Sequence, residues 1–259
     1  MSTPFDAAIR EISARRYHNH RLENHSDIVS EMIFEDLIRT CEPLRRDFEA
    51  GVVGKWLNVA SPGDRARRVD LFVGEPDAAG NPDIQRVRIA LENKSVITAH
   101  RNRTNRFDDL SKVLAAVHSA RPEAILLATV LIGMASRVLN VPDHVHKVFR
   151  GREDEFNDKV LPRLSSGDET LWTEFSWAVS ENTEADPAKT LALLKTIPTR
   201  KAGFTHAAGY DFILGVPVFI DNVNPPRIPR DNGLGIDVDA EYKAMLDQVC
   251  SAYTARWHT

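Results

Sequence analysis

Glu92 and Lys94 stand two residues apart at the end of an alternating run that begins at Val87. On a strand the side chains at i and i+2 share a face, so these two project together while Val87, Ile89 and Leu91 turn to the core. Asp70 belongs to an earlier alternating run, Arg67 to Val73, and stands opposite its neighbours Val69, Leu71 and Val73. Two carboxylates and one ammonium brought together can hold a hard divalent cation on oxygen ligands and leave room for a phosphate oxygen and a water. The acid-x-Lys letters alone do not establish this. Glu241-Tyr242-Lys243 repeats them in a predicted helix, where i and i+2 point apart. A solvated strand face with a cross-strand ion pair also accounts for Asp70, Glu92 and Lys94, so the surroundings must decide.

Those surroundings are legible as elements. Ser26 is a fitting N-cap for a helix over Asp27 to Thr40, whose apolar residues cover most of the circumference and predict burial on several sides. Glu31 and Glu35 share an arc with Ile28 and Met32, where a carboxylate needs a partner or a metal. Strands follow at Val52 to Val59, Arg67 to Val73 and Val87 to Leu91, separated by the turn signal Ser61-Pro62-Gly63 and the hairpin-like stretch Gly74 to Pro82. Thr104 caps a second helix bearing Phe107, Leu110, Val113, Leu114 and Val117, and Ala124 to Ile132 reads as a fully buried strand. The order α, three β, α, β predicts an α/β fold with a mixed sheet. Beyond it the pattern predicts helical patches at 143–149, 153–164 and 187–194, a strand at Phe212 to Ile220, a turn-rich loop from Asp221 to Asp237 and a closing helix from Asp239 to Arg256. The economical reading of 1–259 is one domain, with a core at about 26–133 and a mainly helical elaboration at about 134–259.

The chain has 259 residues, 42% of them hydrophobic and 27% charged, with 13 Gly and 14 Pro, which excludes disordered and collagen-like classes. Cys41 and Cys250 form no CxxC pair, so neither a disulfide framework nor a cysteine-based zinc site is expected, and a reducing, cytoplasmic setting fits. The first thirty residues lack an apolar signal core. The longest uncharged run, Ala124 to Ser136, is shorter than the roughly 18 residues needed to span a bilayer, so no membrane segment is expected. Although net charge is -4, the stretch Asn93 to Phe107 contains Lys94, His100, Arg101, Arg103 and Arg106 and no acid. Such a local basic loop suits a phosphate backbone. Other signals carry less: His18-Asn19-His20 lacks a supporting metal pattern, Gly233-Leu234-Gly235 follows no strand-to-helix turn, and there is no GxSxG elbow.

An acidic helix, an Asp on one strand, Glu-Asn-Lys on the next and a basic loop running into a helix together resemble the PD-(D/E)XK nuclease superfamily, which includes many restriction endonucleases. Arg68-Val69-Asp70 stands where the family has Pro-Asp, with Val69 replacing the proline, and Glu92-Asn93-Lys94 stands for the (D/E)XK element. The resemblance covers about Ser26 to Gly133 and implies a restriction-endonuclease-like αβββαβ core. It further implies Mg²⁺, with Mn²⁺ substituting, held by Asp70, Glu92, the Asn93 main-chain carbonyl and a helix acid, Glu35 first and Glu31 second. Lys94 would orient or help deprotonate the attacking water, and His100, Arg101, Arg103 and Arg106 would contact DNA phosphates. The implied function is a DNA endonuclease of a restriction or defence type, acting as a homodimer. The alternatives are a catalytically inactive nucleic-acid-binding or assembly module with the same fold, and a metal-dependent hydrolase of small phosphoesters.

Overall fold

The computed structural model describes residues 3–14, 24–61, 64–97, 100–140, 147–160, 162–163, 178–201, 203, 207–222 and 224–258. Two helices beyond the expected order flank the first one: α1 (Pro4–Ala14) precedes α2 (Asn24–Thr40), and α3 (Glu42–Glu49) follows it. Pro43 explains the last of these. Proline cannot donate within a helix but fits a first turn, where the missing N–H would have no partner. The same residue therefore stops α2 and lies in the first turn of α3, behind the cap residue Cys41. Strands β1 (Gly54–Ser61), β2 (Asp64–Pro76) and β3 (Pro82–Val96) form an antiparallel meander. A 3-10 turn (His100–Asn102) and α4 (Arg103–Ala120) then return the chain to β4 (Ile125–Gly133), which pairs parallel to β3, as a crossover through a helix requires.

Past β4, the strands β5 (Arg137–Asn140) and β6 (Ala178–Glu181) make a separate two-stranded ribbon. Of the expected helical patches, 143–146, 161 and 164 lie outside the described residues, and Glu153–Glu155 is a single turn running into a π turn at Phe156–Val160. Helix α5 (Asp186–Leu194) carries Pro187 in its first turn. The strand β7 (Phe212–Val218) corrects the expected division at residue 133. It pairs parallel to β4 as the fifth strand of an open mixed sheet of order β1-β2-β3-β4-β7, and α6 (Val238–Trp257) packs on it, so the C-terminal residues complete the core.

Both faces of this sheet are covered. Helices α1, α2, α3 and α6 pack over Leu71, Val73, Ile89, Leu91, Ile125, Leu127, Leu214 and Val216. Helices α4 and α5 pack over Phe72, Ala90, Leu126, Ala128, Val130 and Ile132. The uncharged run of β4 follows from this, since a strand with helices on both sides has no solvent face. β3 is likewise buried on both faces, so Glu92 and Lys94 project into the α4 layer rather than to solvent. Val87, expected beside Ile89, packs in that layer too, because the ladder slips between the pairs Val73/Ile89 and Gly74/Val87. Among the described residues no helix is long and apolar enough to cross a membrane.

The expectation of unpaired cysteines is overturned. Cys41, at the junction of α2 and α3, is disulfide-bonded to Cys250 of α6 across 209 residues, which removes the premise of a reducing compartment. A spacing rule could not find it, because the helices that bring the two together are distant in sequence. Closing so long a loop restricts the unfolded chain, so reduction is expected to lower stability by about 2–5 kcal/mol. Calorimetry with and without dithiothreitol should show a fall in Tm of roughly 5–15 °C. Two free thiols in protein purified without reductant would refute the bond.

Candidate metal and phosphate site

β2 and β3 stay paired as far as Leu71 and Leu91 and then part, β2 continuing along β1 and β3 along β4. Asp70 and Glu92 are the first residues beyond the last pair, at the fork. Backbone groups released by a fork must find other partners. The Asn93 N–H donates to Asp70 Oδ2 at 2.6 Å, so the carboxylate stands in for the lost ladder carbonyl. The Asn93 side chain turns to the opposite face, with Leu91. Its Nδ2 donates to Ser30 Oγ at 2.8 Å, Ser26 Oγ at 3.1 Å and the Ser26 carbonyl at 3.2 Å, while its Oδ1 accepts from the Thr129 hydroxyl at 2.6 Å. One asparagine thus fastens the first turns of α2 to β3 and β4 at the level of the two acids.

On the other face, the Glu92 side chain is only 4% exposed. Its Oε1 accepts from Lys94 Nζ, and its Oε2 is buried with no hydrogen-bond partner among the described residues. Leaving such an acceptor bare costs about 1–3 kcal/mol. Burial pushes the Glu92 carboxyl up to about 7, with the charges of Asp70 and Asp109 adding to the rise and Lys94 opposing it. Asp70 is also raised by burial, against the Asn93 N–H, Lys94 and Ser26, with Asp27 nearby adding to the rise. Two acids that resist ionisation, one with a bare oxygen, form a donor set that a hard cation would satisfy, so the residues present fit Mg²⁺. Among the described residues no three His, Cys, Asp or Glu side chains are grouped to hold a metal. Two carboxylates suffice for Mg²⁺ when substrate phosphate and water fill the remaining positions.

The structure does not bring either expected helix acid, Glu35 or Glu31, to the fork. Glu35 is exposed, and Glu31 pairs with Lys55 of β1. The α2 residues at the fork are Ser26, Asp27 and Ser30. Asp27 acts on the charge of Asp70 and accepts from Asn58 Nδ2 at 2.9 Å. Eight residues on, Glu35 lies about 12 Å further along the helix axis. An apolar pattern running all round the helix could not have chosen between these acids.

The basic loop is also sorted by the structure. His100 is 1% exposed, and its ring nitrogens meet Thr190 Oγ1 at 2.7 Å and the Gly133 carbonyl at 2.8 Å, so it is corrected from a phosphate contact to a core residue. Burial lowers its pKa, which favours the neutral ring. Arg103 donates to the His100 carbonyl and to Asp186, both at 3.2 Å, and holds the loop to the start of α5. Arg106 meets Asp109 at 3.3 Å, and Arg101 is exposed, with no ion pair among the described residues. Tyr210 is fully buried, and Trp172 and Trp177 lie outside the described residues. No protein-family model, curated protein or solved structure matches this chain. Fold and site define it as an α/β protein whose mixed five-stranded sheet carries a buried glutamate, a half-buried aspartate and a lysine at its fork.

Proposed function

We propose that the chain is a Mg²⁺-dependent endonuclease hydrolysing DNA phosphodiester bonds on a restriction-endonuclease-like core of the PD-(D/E)XK kind. The observation that carries this reading is the bare, buried Oε2 of Glu92 beside Asp70 and Lys94 at the sheet fork. Asp70 and Glu92 would hold Mg²⁺, or Mn²⁺ in its place, with the Asn93 main-chain carbonyl as a further ligand and Asp27 replacing Glu35 as the helix acid. When bound, the cation supplies positive charge to a phosphate oxygen and acidity to a water. Lys94, steered by Glu92, offers N–H donors to the phosphate and to the attacking water as negative charge develops. Asn93 keeps the Asp70 carboxylate from turning away. Arg101 adds a sequence-independent phosphate contact outside the site.

DNA is preferred as substrate, and a restriction or defence role as setting, on the strength of the resemblance. A homodimer would let one site per chain cut both strands by twofold symmetry. Incubation of supercoiled plasmid with the protein is expected to give nicked and linear DNA with Mg²⁺ and neither with EDTA. Mapping of the cut ends then reads whether both strands are cut at a fixed stagger. Binding without cutting would replace this reading by the inactive module, and turnover of small phosphoesters alone would replace it by the small-molecule hydrolase.

A further inference from the structure

Helix α4 covers the sheet with one buried stripe, Leu110, Val113, Leu114 and Val117. Steps of three and four residues extend that stripe back to Arg106 and Phe107, and Phe107 packs on the same core. Because α4 links the end of β3 to the start of the parallel strand β4, its first turns lie at the Lys94 end of β3. Tyr210 fixes them there, its buried hydroxyl donating to the Leu110 carbonyl at 2.9 Å. The polar start of the stripe is thus held over the site. The Asp109 carboxylate is close enough to Glu92 to oppose its ionisation, and Arg106 pairs with Asp109.

Among the arginines of the basic loop, Arg103 is committed to Asp186 and the His100 carbonyl, and Arg101 stands in solvent. Arg106 is different. Its partner is a partly exposed acid three residues away on its own helix, an interaction worth only a few tenths of a kcal/mol. We propose that Arg106, poised by Asp109, moves onto a non-bridging oxygen of the phosphodiester held at Asp70 and Glu92, and so is the second cationic donor of the site beside Lys94. This rests on the nuclease reading. A guanidinium fork matches a phosphate better than a single carboxylate oxygen at 3.3 Å, so the exchange is favoured once substrate arrives. A donor fixed at the phosphate also strengthens as charge builds there, which places its effect on the rate rather than on affinity.

The test compares Arg106→Ala, Arg106→Lys and Lys112→Ala, the last removing one charge from the exposed side of the same helix. Single-turnover cleavage is measured at saturating protein with Mg²⁺, and DNA affinity with Ca²⁺ in its place. Arg106→Ala is expected to cut at least about tenfold more slowly at saturation with affinity changed less than about threefold, Arg106→Lys to recover part of the rate, and Lys112→Ala to match the parent. A parental rate in Arg106→Ala overturns the proposal and leaves the nuclease reading standing. A rate loss that tracks a lower Tm and is not relieved in Arg106→Lys also overturns it, making Arg106 a helix contact. A parent chain that never cuts overturns the nuclease reading itself.

Discussion

Glu92→Gln is expected to abolish Mg²⁺-dependent cleavage while leaving the free protein at least as stable as the parent at pH 8. The folded carboxyl titrates at about 7, above its ordinary value of 4.5, so the folded state binds this proton more tightly than the unfolded chain does. That contribution to stability is fully present below pH 4.5 and is lost as pH rises to about 7, a change of about 3 kcal/mol at most. Glutamine keeps the shape and removes the ionisation, so the variant should show a flatter dependence of stability on pH. Adding Mg²⁺ at pH 8 should raise the Tm of the parent and not that of the variant. The proton also competes with the cation, so parental Mg²⁺ affinity should fall about tenfold per pH unit below 7 and level off above it. Lys94→Ala acts differently. An ammonium has no lone pair for a cation, so its loss should cost on the order of 10²–10³-fold in cleavage while metal binding survives. That binding should shift to higher pH, because Lys94 is what holds the Glu92 carboxyl down. Calorimetric Mg²⁺ titrations across pH, beside plasmid cleavage, read both halves. Full cleavage by a folded Glu92→Gln or Lys94→Ala protein would return the pair to a charged strand face.

Local rules carried the reading as far as local physics governs. The three strands, the helix after them and the buried run of β4 follow from periodicity, and the shared face of Glu92 and Lys94 from the pleat of a strand. What escaped was set by packing between distant segments. Asp27 rather than Glu35 faces the fork because the Asn93 side chain seizes Ser26 and Ser30, a contact across 63 to 67 residues. His100 looked like one more cation in an acid-free loop, yet its ring closes a bond to Gly133 where β4 ends. A Cβ on Gly133 would come within 2.5 Å of the Ile97 carbonyl, so the loop after β3 crosses there with no space to spare. Neither fact has a signature in composition or spacing. Pro43 has two effects at once, since the residue that ends one helix lies in the first turn of the next.

Asp211 is the counterpart of Glu92, and replacing it should produce the largest loss of stability of any substitution considered. Its side chain is 0% exposed, and those of its partners Arg200 and Arg256 are 1% and 0%. Oδ2 accepts from Arg200 Nε at 3.1 Å, Arg256 Nη1 at 3.3 Å and the Leu126 N–H at 3.0 Å, and Oδ1 accepts from Arg256 Nη2. One carboxylate thus joins the start of β4, the approach to β7 and the last turns of α6. Asp211→Asn removes the carboxylate charge that two guanidinium groups share, and those groups cannot shed their protons. The expected cost is about 3–5 kcal/mol, the penalty for a buried charge left without its partner. Arg256→Met should cost less. Asp211 keeps Arg200, which is anchored independently by the Pro122 and Ala124 carbonyls, and the unbranched methionine can follow the path of the arginine stem. Urea unfolding of the two variants orders them, and an Arg256→Met protein less stable than Asp211→Asn would overturn the account. Both carboxylates are buried acids near the ends of strands, which sequence cannot tell apart. What separates them is that every oxygen of Asp211 has a donor, so changing it damages the fold, whereas Glu92 keeps one oxygen bare, so changing it should remove the chemistry and leave the fold intact.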